Sequence, residues 1–165
     1  MSAAVDALLT RMADAERRLV EHASVPTPSG MTEPDPDGDE RWEAGQVWAH
    51  VAEFPGYWLD QVERVIELRA DQPVPFGRVK TDTGRIEAIE RDRHESPEQL
   101  LARARAALAR ATDTARGLSP EAWRVRGTHP TRGEMTVHQI IERFIVEHLE
   151  EHADQLDLLA SASDR

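Results

Sequence analysis

TVHQIIERFIVEHLEEHADQLDLL, residues 136–159, decides how the whole chain is read. Val137, Ile141, Phe144, Ile145, His148, His152 and Leu159 return at steps of three and four residues. At about 100° per residue, that is one stripe of an α-helix. His148 and His152 are four apart, so they lie about 40° from each other inside the stripe. Glu142, Arg143, Glu147, Glu150 and Asp154 take the outer face. Two imidazoles therefore point where a core would be. Thr136 and Gln139 form a capping box that starts this helix.

Upstream, Val47, His50, Val51, Phe54, Trp58, Val62 and Val65 keep the same spacing and predict a helix that begins near Glu43 or Ala44. Pro55 lies inside it. A proline removes a backbone donor and clashes with the preceding turn, so a kink or short break is expected just beyond His50. Ser2 can cap a first helix reaching about His22, with Val5, Leu8, Leu9, Met12, Ala15 and Leu19 on its buried stripe. Ser96-Pro97-Glu98-Gln99 combines a serine cap, a proline at the first position and a closing glutamine. The helix it starts runs to about Arg116, with Gly117 at its C-terminal turn. Ser119-Pro120-Glu121 repeats the signal for a short turn carrying Trp123.

The connectors have no such period. ASVPTPSGMTEPDPDGDERW breaks every repeat with Pro, Gly, Asp and Ser. Its alternating Asp35, Asp37 and Asp39 do not match a calcium loop, because the glycine is misplaced and no glutamate closes it. A solvated acidic loop is expected. Residues 71–95 read as a mixed connector, with a short helix inside TGRIEAIERDRHE. RVRGTHPTRGEM reads as a loop with several possible anion donors. Four long amphipathic segments and no convincing alternating strand predict an all-α, four-helix bundle with long connectors over a single domain, residues 1–165. The long connectors leave its topology open.

Composition narrows the function. The formal charge of -11 makes nucleic acid and anionic membranes poor partners, although a local basic patch could still bind one anionic ligand. A small-molecule substrate is what an open metal site would lead one to expect. The absence of cysteine excludes disulfides, thiolate metal sites and a cysteine nucleophile within this chain. MSAAVDALLT meets Asp6 too early for a secretory apolar core, and no apolar run approaches the roughly 20 residues that span a bilayer. A cytoplasmic protein is expected.

His50, His148 and His152 are the candidates for one site. Neutral imidazole binds zinc, nickel, copper and iron, and an i,i+4 pair can share a metal with a third ligand from a facing helix. Buried histidines that only hydrogen-bond their neighbours would show the same spacing. A carboxylate such as Glu53, Glu147 or Glu151 could also complete the set. The other histidines carry less: His129, in the loop THPTRGEM, could reach a substrate at an open end, while His22, His94 and His138 read as helix-end residues. Arg78, Lys80, Arg126 and Arg132 could meet an anionic ligand or be solvated. Trp42, Trp48, Trp58 and Trp123 could serve a homodimer face, a core or a pocket wall.

WEAGQVWAHVAEF, followed far downstream by MTVHQIIERFIVEHLEEHADQL, resembles the DinB-like superfamily. PFGRVKTD and IEAIERDRHESPEQLLARARAAL resemble an actinobacterial branch of it. The resemblance implies a four-helix bundle with a histidine on the second helix and a histidine pair on the last. It places the divalent metal, zinc or nickel first, on His50, His148 and His152. It also implies a transferase that uses a low-molecular-weight thiol, with mycothiol the first to consider. Metal-assisted hydrolysis and a non-catalytic metal-binding bundle are the alternatives.

Overall fold

The computed structural model describes residues 2–165. Its long helices are α1 (Ala3–Ala23), α2 (Ala44–Glu67), α4 (Pro97–Gly117) and a last helix made of α6 (Val137–Ile141), a π-helical stretch (Glu142–Glu147) and α7 (His148–Ser163). Shorter pieces fill the connectors: β1 (Val74–Pro75), α3 (Thr83–Asp92), α5 (Pro120–Trp123), β2 (Arg126–His129) and β3 (Gly133–Thr136). The starts follow from the caps. The side chains of Ser2, Ser96, Ser119 and Thr136 accept from the backbone N–H of Val5, Gln99, Ala122 and Gln139. Each satisfies a donor that a helix start leaves open.

α1 packs on α4 and α7, whereas α2 packs on α4, α6 and α7. α1 and α2 therefore stand at opposite corners of a four-helix bundle, as do α4 and the last helix. Connections between opposite corners must be long, which explains the extended stretches 24–43 and 118–136. One apolar core fills the middle, with Leu19, Val47, Phe54, Leu59, Leu100, Leu108, Ile140, Ile145, Leu149 and Leu156 fully enclosed. Ion pairs tie the outer faces together. Arg11 on α1 bridges Glu142 and Glu150, at 2.9 and 2.7 Å. That part of the last helix is covered by α1 rather than bare.

Three local expectations need correction. α2 continues through Pro55 without the short break expected there. The missing donor leaves the Val51 carbonyl without its usual partner, at a cost of roughly 3 kcal/mol. Val51, Phe54, Trp58 and Leu59 are buried on both sides of it, and that packing holds the helix together. Secondly, residues 126–136 form a hairpin and not a loop. His129 pairs with Gly133 across a three-residue turn, and Gly133 has φ 73°. A three-residue hairpin turn with glycine in the left-handed region is a recurrent solution. β1 adds to β2 in parallel, Val74 opposite Gly127, completing a small sheet in the order β1-β2-β3. Thirdly, the last helix is not purely α. Its π-helical stretch inserts extra backbone just before His148, and Glu142–Glu147 holds neither proline nor glycine to signal it.

Candidate metal centre

α2 supplies His50 and α7 supplies His148 and His152, and the packing of these two helices brings all three rings together. One ring nitrogen from each lies within 4.8 Å of the others. His50 Nε2 and His148 Nε2 are 3.1 Å apart. Nitrogens about 2.1 Å from a tetrahedral ion stand about 3.4 Å from one another, so the spacing suits a metal with small adjustment. The cluster needs no carboxylate: Glu53 sits behind His50 and accepts from its Nδ1, and Glu147 and Glu151 are engaged elsewhere. Glu147 and Glu151 both pair with Arg143, at 3.2 and 2.6 Å.

The second nitrogen of each ring fixes its orientation. A carboxylate and an amide oxygen can only accept, so His50 Nδ1–H donates to Glu53 Oε2 at 3.2 Å and His152 Nδ1–H donates to Gln155 Oε1 at 2.7 Å. His148 sits beside the widened turn, where the Phe144 carbonyl pulls its imidazole up against the larger effect of burial. One ring nitrogen of each histidine thus faces the other two. His152 Nε2 is buried with no hydrogen-bond partner among the described residues. His50 Nε2 and His148 Nε2 stand at hydrogen-bond distance, and one can donate to the other only while it carries a proton. An unpartnered buried acceptor is costly, and a cation among the three rings would satisfy His152 while taking a lone pair from each of the other two. The residues thus fit a divalent metal.

Burial keeps the imidazoles neutral. Desolvation, then the neighbouring histidines, push His50 and His148 well below the ordinary imidazole value. Burial pushes His152 down to about 4, against the pull of Gln155. Neutral imidazole is the form that binds metal. Aromatic rings hold the cluster in place. Phe54 stacks on His148 with centroids 4.1 Å apart, and Trp42 stacks on His152 at 5.9 Å.

The cluster lies in the wall of a cavity of about 940 Å³. Trp58 and Phe144, stacked at 4.0 Å, form another part of the wall. Its outer half comes from the connectors. Lys80 pairs with Asp35 at 2.6 Å, and Arg85 reaches Glu40 at 3.3 Å and the Lys80 carbonyl at 2.9 Å. The stretch around Asp35 is therefore part of the site, although Asp37 and Asp39 are exposed as expected. Arg78, Lys80 and Arg132 line the cavity, whereas Arg126 pairs with Glu134 outside it. Arg132 has no carboxylate within ion-pair distance among the described residues, and its guanidinium sits 5.7 Å from the Phe144 ring centre. Arg85 and Arg143 also line the cavity, and nothing in the spacing of the sequence marks them.

The remaining histidines separate clearly. His129 is buried at the cavity wall, but both ring nitrogens are used: Nε2 donates to the Arg78 carbonyl at 3.1 Å, and Nδ1 accepts from the Thr131 N–H at 3.3 Å. It braces the wall and has no nitrogen left for a substrate. His22 pairs with Asp157 at 2.6 Å, His94 is exposed, and His138 lies beside Trp123. Of the tryptophans, Trp42 and Trp58 are cavity walls and Trp48 is core.

The family model for the DinB superfamily matches residues 4–156. The chain belongs to the DinB superfamily. No curated protein matches it. Among solved structures, this DinB protein is similar to YfiT from Bacillus subtilis, described as "a probable metal-dependent hydrolase with an unusual four-helix bundle topology". The TM-score is 0.72 at 18% identity, covering 98% of this chain and 89% of YfiT. A mycothiol-dependent maleylpyruvate isomerase aligns with a TM-score of 0.69 at 15% identity, over 94% of this chain and 63% of the isomerase. An uncharacterised protein from Clostridium difficile 630 aligns at 0.66 and 10% identity, over 98% of both chains. At these identities the likeness is one of fold. Among the described residues, no helix of this DinB protein is long and apolar enough to cross a membrane.

Proposed function

We propose that this chain is a metal-dependent enzyme that transfers a low-molecular-weight thiol to a small electrophile. The observation that carries the metal reading is the convergence of three neutral ring nitrogens, one of them orphaned, on the wall of a large cavity. When bound, a divalent zinc or nickel ion supplies positive charge that favours thiolate over thiol. His50, His148 and His152 hold that charge without neutralising it, because all three are uncharged. Three protein ligands also leave room in the coordination shell, as in catalytic sites.

The chain has no cysteine, so the sulfur nucleophile comes from outside. The cavity is near the top of the roughly 300–1,000 Å³ range of small-molecule sites, which suits a substrate together with a thiol-bearing molecule. Trp42, Trp58 and Phe144 give the cavity an apolar wall. Arg132, without a carboxylate partner, is the residue suited to a polar or anionic group on the substrate. The fold shared with a mycothiol-dependent isomerase makes mycothiol the first thiol to test.

The test is the loss of a panel of electrophiles with metal-loaded protein and mycothiol, bacillithiol or glutathione. Consumption that requires both metal and thiol, and disappears in a folded His152→Ala variant, supports transfer. Hydrolysis of ester or amide substrates by metal-loaded protein without any thiol would replace transfer by the hydrolytic reading. A metal whose coordination shell is filled by protein groups would favour a non-catalytic bundle.

A further inference from the structure

Behind His50 stand two buried opposite charges. Glu53 is one turn along α2, and Arg78 comes from the connector after β1. Their side chains keep 14% and 8% of their exposure. Both oxygens of Glu53 are committed, Oε2 to His50 Nδ1 at 3.2 Å and Oε1 to an ion pair with Arg78. We propose that Arg78 is a positioning residue for the metal centre, acting through Glu53 to hold the His50 ring with Nε2 presented to the ion. The inference rests on the metal-dependent reading above.

Arg78 is held from several directions. Its guanidinium lies 3.8 Å from the centre of the Tyr57 ring. Its carbonyl accepts from His129 Nε2 at 3.1 Å. The N–H of Gly77 donates to Gln61 Oε1 at 2.8 Å. Gly77 has φ +88°, and a Cβ there would stand 2.5 Å from His129 Cδ2. The hairpin and α2 thus hold the backbone at Gly77 and Arg78, while Tyr57 and Glu53 meet the guanidinium itself. A buried ion pair gives little net stability and is costly to break from one side. An ionised carboxylate behind a ligating imidazole does something further: it fixes the ring and strengthens the other nitrogen as a donor. His152 has only a neutral amide in that place. Among the described residues, His50 is the one ligand backed by a carboxylate, and Arg78 is what keeps that charge aimed.

If the pair merely tied the connector to α2, its loss would lower stability and leave metal affinity alone. The experiment measures zinc affinity by competition with a chromophoric chelator. It uses the wild type, Glu53→Gln, Arg78→Gln, Arg78→Lys and the double variant Glu53→Gln/Arg78→Gln, with Arg126→Gln as the control. Glu53→Gln is expected to weaken binding about 10–100-fold. Arg78→Gln should come close to the same loss, and the double variant should be no worse than Glu53→Gln, because both changes act through one group. Arg78→Lys keeps the charge and should recover most of the affinity. The visible absorption bands of the cobalt-loaded protein should move in Glu53→Gln and Arg78→Gln and stay put in Arg126→Gln. Wild-type affinity and unshifted cobalt bands in folded Arg78→Gln overturn the inference. So do losses that multiply in the double variant. A wild-type protein that takes up no zinc or cobalt overturns the metal centre itself, a separate failure.

Discussion

The inner and outer halves of the cavity are built by different means. The inner half is three histidines on two long helices, set on stripes whose neighbours Val47, Val51, Phe54, Ile145 and Leu149 are fully buried. The outer half is connector and hairpin: Asp35 with Lys80, Glu40 with Arg85, and Thr131 and Arg132 at the hairpin turn. Helix packing places the first half, and single polar contacts place the second. The first should therefore resist everything except damage to the core, whereas the second should be adjustable at little cost to the fold.

Core damage should show the largest effect. Leu149→Ala, fully enclosed on α7, is expected to cost about 2–5 kcal/mol in urea unfolding. A cost under about 1 kcal/mol would mean that the last helix is not clamped as described.

Acid should weaken the inner half next. An imidazole held below its unfolded value of about 6.5 takes up its proton more readily in the unfolded chain, so the metal-free fold has its full stability above that pH. That stability falls as pH drops toward about 4, where buried His152 itself protonates. The change for His152 alone is about 3 kcal/mol. Comparing urea melts of wild type and His152→Ala at several pH values removes the share due to carboxylates. Parallel curves for the two proteins would contradict the burial argument.

The outer half should respond more mildly. Gly77→Ala puts a side chain at positive φ beside His129 and Trp58 and should cost about 1–3 kcal/mol, read as a lowered unfolding midpoint. Lys80→Ala removes a half-exposed ion pair with Asp35 and should cost less than about 1 kcal/mol, with less effect still in high salt. A loss as large as that of Leu149→Ala would erase the distinction between the halves.

This difference also explains what the sequence could and could not disclose. The spacing of Val47, His50 and Phe54, and of Phe144, His148 and His152, carries helix, face and burial at once. The inner residues were legible for that reason, and the serine and threonine caps marked where the helices start. The contact between His50 and the other two histidines is tertiary, and spacing alone left it open. Arg85 and Arg143 were missed because an arginine at an ion-paired wall position looks like any helix-surface arginine. Arg78 was noted, but its contact with Glu53 joins a connector to a helix, and no local pattern encodes that. The hairpin had a readable signal in the Pro130-Thr131-Arg132-Gly133 turn, outweighed by strands too short to alternate visibly. A break at Pro55 does not follow from its local penalty, because Val51, Phe54, Trp58 and Leu59 are buried on both its sides.

His50, His148 and His152 are expected to bind one divalent ion. The decisive measurement is metal content and affinity after removal of bound metal and titration with zinc, on protein carrying no histidine tag. Wild type and His22→Ala should take up one zinc per chain, with binding lost or greatly weakened in folded His148→Ala and His152→Ala. Unchanged stoichiometry and affinity in both of those variants would contradict it.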